Sequence, residues 1–357
     1  MAAKTPENLL WSLPVPSVKE LAMKGLATVP ARYIRDDVEE CTSSDPNQAF
    51  LGVPLIDMDK LVNPETRDME VHKLHAACKD WGAFQLINHG LCSRTVRSMK
   101  AKTEEFFNLD LEEKQRWAQK PGSLEGYGQA FVISEDQKLE WCDMIYLRAL
   151  PLPLRNLGFW PATPHGYREA IESYCEGIRE LAVSLMGFIA KGLLGVGGKR
   201  FSEAFEDGRY ELRMNCYPPC PEPEKVVGIA PHADISGITF LLDCRDVAGL
   251  QVQKDGHWFT VRPIADAIVV NLGHILEITS NGIYKAPQHR AIVDRWKERL
   301  SVVAFCYPSP DTDIGPAKEL IEAGRPALYR TLKLEEYFKR FYDWNLGAVP
   351  FIDTLKL

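Results

Sequence analysis

The sequence predicts a mainly β fold with flanking helices, and three observations carry that expectation. Between about Tyr210 and Pro308, apolar runs of strand length alternate with turn signals: ITFLLD, GLQVQ, WFTVRP, AIVVNL and RLSVVAFCY are punctuated by KDG, SNG and proline pairs. Many short strands at near-regular spacing point to a sandwich or barrel such as the jelly roll. In ELRMNCYPPC, Glu211, Arg213, Asn215 and Tyr217 alternate with Leu212, Met214 and Cys216, so one face meets a packed layer and the other something polar. Finally, the stretch from Tyr167 to Leu194 repeats apolar residues at Ile171, Tyr174, Ile178, Leu181, Leu185, Phe188 and Ile189, the spacing of a helix that backs a sheet.

In chain order, the first fifty residues are rich in Pro, Asp and Ser and read as a surface wrap, with Asp36, Asp37, Glu39 and Glu40 as a solvated acidic face. GVPLIDMD then reads as a short strand, Arg67 to Lys79 as a helix, GAFQLINHG as a strand closed by Gly90, and Arg94 to Phe107 as a second helix. Helical character returns near the end in LKLEEYFKRFYDW. The expected organisation is an N-terminal extension (1–50), a helix-rich region (51–205), a β core (206–310) and a C-terminal helical segment (311–357), forming one structural unit.

At 357 residues, 45% apolar and 25% charged, the chain has the composition of a soluble globular protein with ample core. A net charge of -7 without a Lys/Arg stripe argues against nucleic-acid binding. No apolar run approaches the about eighteen residues of a membrane span, and the N-terminus lacks a signal-peptide pattern, so a cytoplasmic location without membrane contact is expected. Nine scattered cysteines, an odd number with no CxxC pair, read as reduced thiols, and Cys216 and Cys220 as structural rather than metal-binding.

The chemistry is concentrated in five residues. His232 and Asp234 in PHADISGITF sit two apart, so on a strand or its end both side chains point the same way. His289 in APQHRAIV supplies a third ligand type. Two imidazoles and one carboxylate bind one face of Fe(II) and leave positions open, the arrangement of non-haem iron oxygenases. Ten positions beyond His289, Arg299 is followed by Ser301, a basic residue and a hydroxyl able to hold the far carboxylate of a chelating 2-oxo acid. Alternation places Arg299, Ser301, Val303, Phe305 and Tyr307 on one face of RLSVVAFCY, as a site wall would require. The other histidines, His72, His75, His89, His165, His257 and His274, read as structural, and Phe84 and Trp141 as core.

The segments WGAFQLINHG, NCYPPCPEPEKVVGIAPHAD, GLQVQKDGHWFTV, NLGHILEITSNGIYKAPQHR and RLSVVAFCYPSPDTDIGP closely resemble the plant iron(II)- and 2-oxoglutarate-dependent dioxygenases, over nearly all the chain beyond residue 50. EGYGQAFVISEDQKLEWCDM resembles the branch of alkaloid O-demethylases and hydroxylases of specialised metabolism. The resemblance implies a distorted double-stranded β-helix holding Fe(II) on His232, Asp234 and His289. It also implies 2-oxoglutarate on Arg299 and Ser301, assisted by Asn215 and Tyr217, with O2 as co-substrate and ascorbate as activator. Arg213, Phe305, Tyr307, Met144 and Tyr146 fall where relatives line the substrate pocket. Arg213 either meets the substrate or serves as a structural ion-pair partner.

Departures from the family pattern are Cys216 within Asn-Cys-Tyr, His274 in place of a frequent acidic residue, and Ala83 in place of a usual Phe. The implied reaction is hydroxylation or O-demethylation of a small aromatic metabolite, with succinate and CO2 released and no protein partner required. An ascorbate-using, ethylene-forming type, a hormone-oxidising type and a non-catalytic ligand-binding homologue are the alternatives.

Overall fold

The computed structural model describes residues 12–35, 52–195, 199–344 and 349–357, so the acidic run at Asp36, Asp37, Glu39 and Glu40 lies outside the described residues. Two sheets make the core. The larger has eight strands in the order Leu55–Asp57, Ala83–Ile87, Ile268–Leu272, Ile238–Asp243, Arg299–Tyr307, Arg209–Tyr217, Asp143–Leu150 and Gly126–Gly128. The smaller has four, in the order Ile229–His232, His289–Ala291, Leu250–Lys254 and His257–Thr260. Pairing is antiparallel except between Leu55–Asp57 and Ala83–Ile87. This is the expected jelly-roll core.

Burial follows the alternation read from the sequence. Leu212, Met214 and Cys216 of one strand, and Leu300, Val302, Ala304 and Cys306 of its neighbour, pack outward into the main apolar cluster with Ile171, Tyr174, Ile178 and Leu185 of the helix Tyr167–Leu194. That helix starts at Gly166 and ends at Gly195, both with positive φ, where a side chain would strain the backbone. The opposite faces look between the sheets, where Leu241, Val269 and Val303 of the large sheet meet Leu250 and Val252 of the small one. At about 25 cal/mol per Å2 of apolar surface removed from water, these two layers supply most of the drive to fold.

Three differences from the sequence reading have physical causes. The strand in GVPLIDMD stops at Asp57, because the Asp57 side chain accepts from Asp59 N at 3.1 Å and caps a helix over Met58–Val62. DMIYLRAL forms a strand, Asp143–Leu150, that was not expected there. Residues 12–35 do more than wrap the surface: Val18, Val29 and Tyr33 are buried with Trp141, Tyr217 and Cys220. Asp143 accepts from Ser17 Oγ at 2.6 Å, Val18 N at 2.7 Å and Lys19 N at 3.1 Å, and so fastens the helix Val18–Met23 to the barrel. All eight described cysteines are free, with Cys216 and Cys220 buried. No helix among the described residues is long and apolar enough to cross a membrane.

Candidate active site

His232 ends the strand Ile229–His232 and stands directly opposite His289 in the antiparallel register, with ring centroids 4.2 Å apart. Asp234 follows just past the strand end and turns its carboxylate back toward both rings. Its Oδ1 lies 3.6 Å from His232 Nε2 and 3.7 Å from His289 Nε2. One ligand atom from each residue falls within 4.8 Å of the others, and among the described residues no second group of His, Cys, Asp or Glu could share an ion in this way.

Local hydrogen bonds set both imidazoles for coordination. His232 Nδ1 lies 2.9 Å from the carbonyl of Ala230, and His289 Nδ1 lies 3.1 Å from that of Pro287. A carbonyl only accepts, so each Nδ1 carries the proton and each Nε2 presents its lone pair to the shared centre. Although 38% of the His232 side chain is open to the pocket, desolvation by the surrounding protein and the adjacent His289 hold its pKa below the ordinary value, against the pull of Asp234. Burial would raise the Asp234 pKa. His289, His232 and hydrogen bonds from Thr239 and Asn271 overcome that and keep it below the usual carboxylate range. Imidazole lone pairs beside an ionised carboxylate are the donor set that binds a divalent metal.

Next to the triad, between the sheets, lies a space lined by Asn215, Tyr217, Arg213, Arg299, Thr239 and Asn271. The paired strands bring Arg299 opposite Tyr217 and Ser301 opposite Asn215. Asn215 Nδ2 donates to Ser301 Oγ at 3.3 Å, and the Arg299 guanidinium sits 5.2 Å from the Tyr217 ring centre. Arg299 Nη2 pairs with Asp243 Oδ1 at 2.5 Å, while its Nε is buried with no hydrogen-bond partner among the described residues. Gly249 makes room for it, since a Cβ there would come within 2.6 Å of Arg299 Cδ. A buried guanidinium with an unsatisfied N–H, lining a polar space beside three side chains able to hold a metal ion, fits a bound carboxylate.

A second space opens on His232 and Asp234 and is lined by Phe131, Met144, Tyr146, Phe305, Tyr307 and Phe341, with Tyr342 and Leu124 beside them. His232, Asp234, Arg213 and Phe305 border both spaces. Tyr146 and Phe305 stack at 6.3 Å, and the Tyr146 hydroxyl donates to the buried carboxylate of Glu211. A larger cavity, about 450 Å3, lies elsewhere, against Phe201, Phe205, Leu276 and Ile314. Its charged lining residues, such as Arg200, Asp311 and Lys318, are all exposed, and it holds no convergent ligand set.

The structure therefore brings together every residue singled out from the sequence. Arg213 is an ion-pair partner and a pocket residue at once: its Nε donates to Asn215 Oδ1 at 2.7 Å and its Nη2 lies 3.8 Å from Glu140 Oε2. Sequence reasoning missed Glu140, Asp243, Thr239, Asn271, Phe341 and Tyr342. The aromatic stripe Tyr337, Phe338, Phe341 and Tyr342 at helical spacing was a visible signal for the last two. His274 is buried beside Phe351, with its backbone N donating to Asp234 O, and takes no place among the ligands.

Comparison with known proteins agrees with this geometry. Residues 53–163 match the family described as non-haem dioxygenase in morphine synthesis N-terminal, and residues 209–308 match the 2OG-Fe(II) oxygenase superfamily. The chain is 45% identical over 346 residues to an oxoglutarate-dependent flavonoid 7-O-demethylase of Ocimum basilicum, covering 97% of this chain and 92% of that one. It is 39% identical over 354 residues to codeine O-demethylase of Papaver somniferum, covering 97% of both. The crystal structure of JOX2 in complex with 2OG, Fe and JA superposes with a TM-score of 0.85 at 33% identity, over 98% of this chain and 99% of that one. The chain belongs to the iron(II)- and 2-oxoglutarate-dependent dioxygenases.

Proposed function

We propose that this enzyme removes a methyl group from, or hydroxylates, a flat aromatic specialised metabolite, with His232, Asp234 and His289 as the iron ligands. Arg299 and Ser301, with Asn215 and Tyr217, hold 2-oxoglutarate, and the aromatic space beside them takes the substrate. The observation that carries this reading is the shared border: the space walled by Phe131, Tyr146, Phe305 and Phe341 opens on His232 and Asp234 themselves. A planar ring seated among those side chains is stacked and desolvated beside the metal ligands.

When bound, Fe(II) with 2-oxoglutarate and O2 supplies the oxidising power, and succinate and CO2 leave as co-products. The protein's part is placement. The Nδ1–H bonds to Ala230 and Pro287 orient the imidazoles, the Arg299 guanidinium orients the co-substrate, and the aromatic walls exclude water and choose which C–H bond is nearest. For an aryl methyl ether, ArOCH3 with O2 and 2-oxoglutarate becomes ArOH, formaldehyde, succinate and CO2. The names of the flavonoid, codeine and thebaine O-demethylases among the relatives favour this outcome. A small molecule is the partner this site needs.

The test is substrate-stimulated release of succinate and formaldehyde across a panel of methoxylated flavonoids and alkaloids. Succinate with formaldehyde identifies demethylation, and succinate alone identifies hydroxylation. Iron-loaded protein that binds such compounds yet never forms succinate would instead be a ligand-binding relative. Turnover that needs ascorbate but no 2-oxoglutarate would place it with the ethylene-forming type.

A further inference from the structure

We infer that Glu140 determines the charge selectivity of the substrate pocket by neutralising Arg213, so that the site accepts neutral aromatic ligands and rejects carboxylates. The inference rests on the proposed substrate pocket. Arg213 supplies the fixed positive charge in that pocket, because apart from His232 and Asp234 the remaining lining, aliphatic and aromatic side chains such as Phe131, Tyr146, Phe305 and Phe341, is uncharged. An uncompensated guanidinium there would attract an acidic substrate. Arg213 is not uncompensated.

Its Nε is committed to Asn215 Oδ1 at 2.7 Å, and its Nη2 faces Glu140 Oε2 at 3.8 Å. The Glu140 carboxylate is held in turn, since its Oε1 accepts from Ala230 N at 2.9 Å. The backbone around it is fixed by Trp141 N donating to Val227 O at 2.8 Å and by Gln129 Nε2 donating to Glu140 O at 3.3 Å. With side-chain exposures of 13% for Arg213 and 26% for Glu140, the pair is screened only in part by water. A substrate carboxylate would have to displace Glu140 or add a second negative charge beside it, and like charges at such separations repel.

Glu140 is thus a positioning residue, acting through Arg213 and not on the reacting atoms. The same carboxylate is bonded to the residue whose carbonyl orients His232, so its backbone contact must be kept in any test. Glu140→Gln keeps an oxygen for Ala230 N and removes only the charge.

The experiment measures equilibrium binding of p-methoxycinnamate and of its methyl ester to anaerobic protein loaded with Fe(II) and 2-oxoglutarate, which requires no turnover. Wild type should favour the ester. In E140Q the acid should gain about tenfold in affinity, the scale of one partly screened charge-assisted contact, while the ester changes little. Adding Arg213→Met to E140Q should erase the gain. An acid-to-ester ratio equal to that of wild type overturns the inference, since a merely structural role for Glu140 would weaken both ligands together. Should E140Q not fold, Glu140→Ser takes its place: the acid-to-ester ratio must rise there as well, and a ratio equal to that of wild type refutes the inference. If the ester binds neither protein, the substrate-class reading fails, yet a gain of acid binding in E140Q still upholds the charge assignment and its absence still ends it.

Discussion

Thr239 Oγ1 donates to Asp234 Oδ2 at 2.7 Å, on the side of the carboxylate away from the two imidazoles. Asn271 Nδ2 donates to the same oxygen at 2.8 Å, and Ser236 Oγ lies 2.8 Å from Thr239 Oγ1. One carboxylate oxygen is therefore spent on fixing orientation and the other is left for the metal, which is how outer groups tune a ligand they do not replace.

Removing either donor should weaken metal binding without abolishing it. Thr239→Val and Asn271→Ala are each expected to lower affinity for Fe(II), or Co(II) as a surrogate, by about 10- to 100-fold. Competition with a chelator measures this, alongside Asp234→Ala, which should lose the metal outright. Wild-type affinity in both donor variants would mean that Asp234 needs no outside support.

Arg299→Ala should raise the dissociation constant for 2-oxoglutarate about 10- to 100-fold, the equivalent of one charge-assisted contact, while metal content stays near wild type. Arg299→Lys should recover only part of this, because an ammonium cannot pair with Asp243 and a bound carboxylate through one planar fork. Calorimetric titration of the metal-loaded protein distinguishes the variants, and an unchanged constant in Arg299→Ala would remove Arg299 from the co-substrate site.

Asp143 is the anchor of the N-terminal segment. Asp143→Ala leaves Ser17 Oγ and the amides of Val18 and Lys19 without their acceptor, at an expected cost of about 1–3 kcal/mol. Limited proteolysis should then cut ahead of residue 35 well before the barrel is attacked, whereas equal resistance in mutant and wild type would show that the apolar contacts of Val18, Val29 and Tyr33 suffice.

His274 should make the protein acid-sensitive. Burial lowers its pKa, and its Nδ1 has no hydrogen-bond partner among the described residues. An unfolded histidine titrates near about 6.5, so below that pH the unfolded chain takes up a proton that the folded chain refuses. The stabilising contribution is intact above that value and is lost as pH falls toward the folded one, by at most about 1.4 kcal/mol per pH unit. Urea unfolding of wild type and His274→Gln from pH 7 to pH 5 should show a flatter loss in the variant, and parallel curves would clear His274 of the effect.

Much of the site was legible because strands have a period of two. Arg213, Asn215 and Tyr217 on one strand, and Arg299, Ser301 and Phe305 on the next, had to share the face opposite Leu212, Met214, Leu300 and Val302 once those packed against a helix. The strand Asp143–Leu150 was harder to read, since apolar residues stand on both its faces, Ile145, Leu147 and Ala149 on one and Met144, Tyr146 and Leu150 on the other, which blurs the period of two in the sequence.

The sequence by itself determined the residue types of the metal site, the inward face of each long strand and the family to which the chain belongs. Periodicity and ligand chemistry are local properties, written into neighbouring residues. The tertiary structure alone decided that Thr239 and Asn271 orient Asp234, that Asp243 and Glu140 occupy the guanidinium groups of Arg299 and Arg213, and that Phe341 and Tyr342 complete the aromatic wall beside His232 and Asp234. Those partners come from elements far apart in the chain, and no period links them: only the packing of two sheets and a terminal helix around one cavity determines which charge meets which.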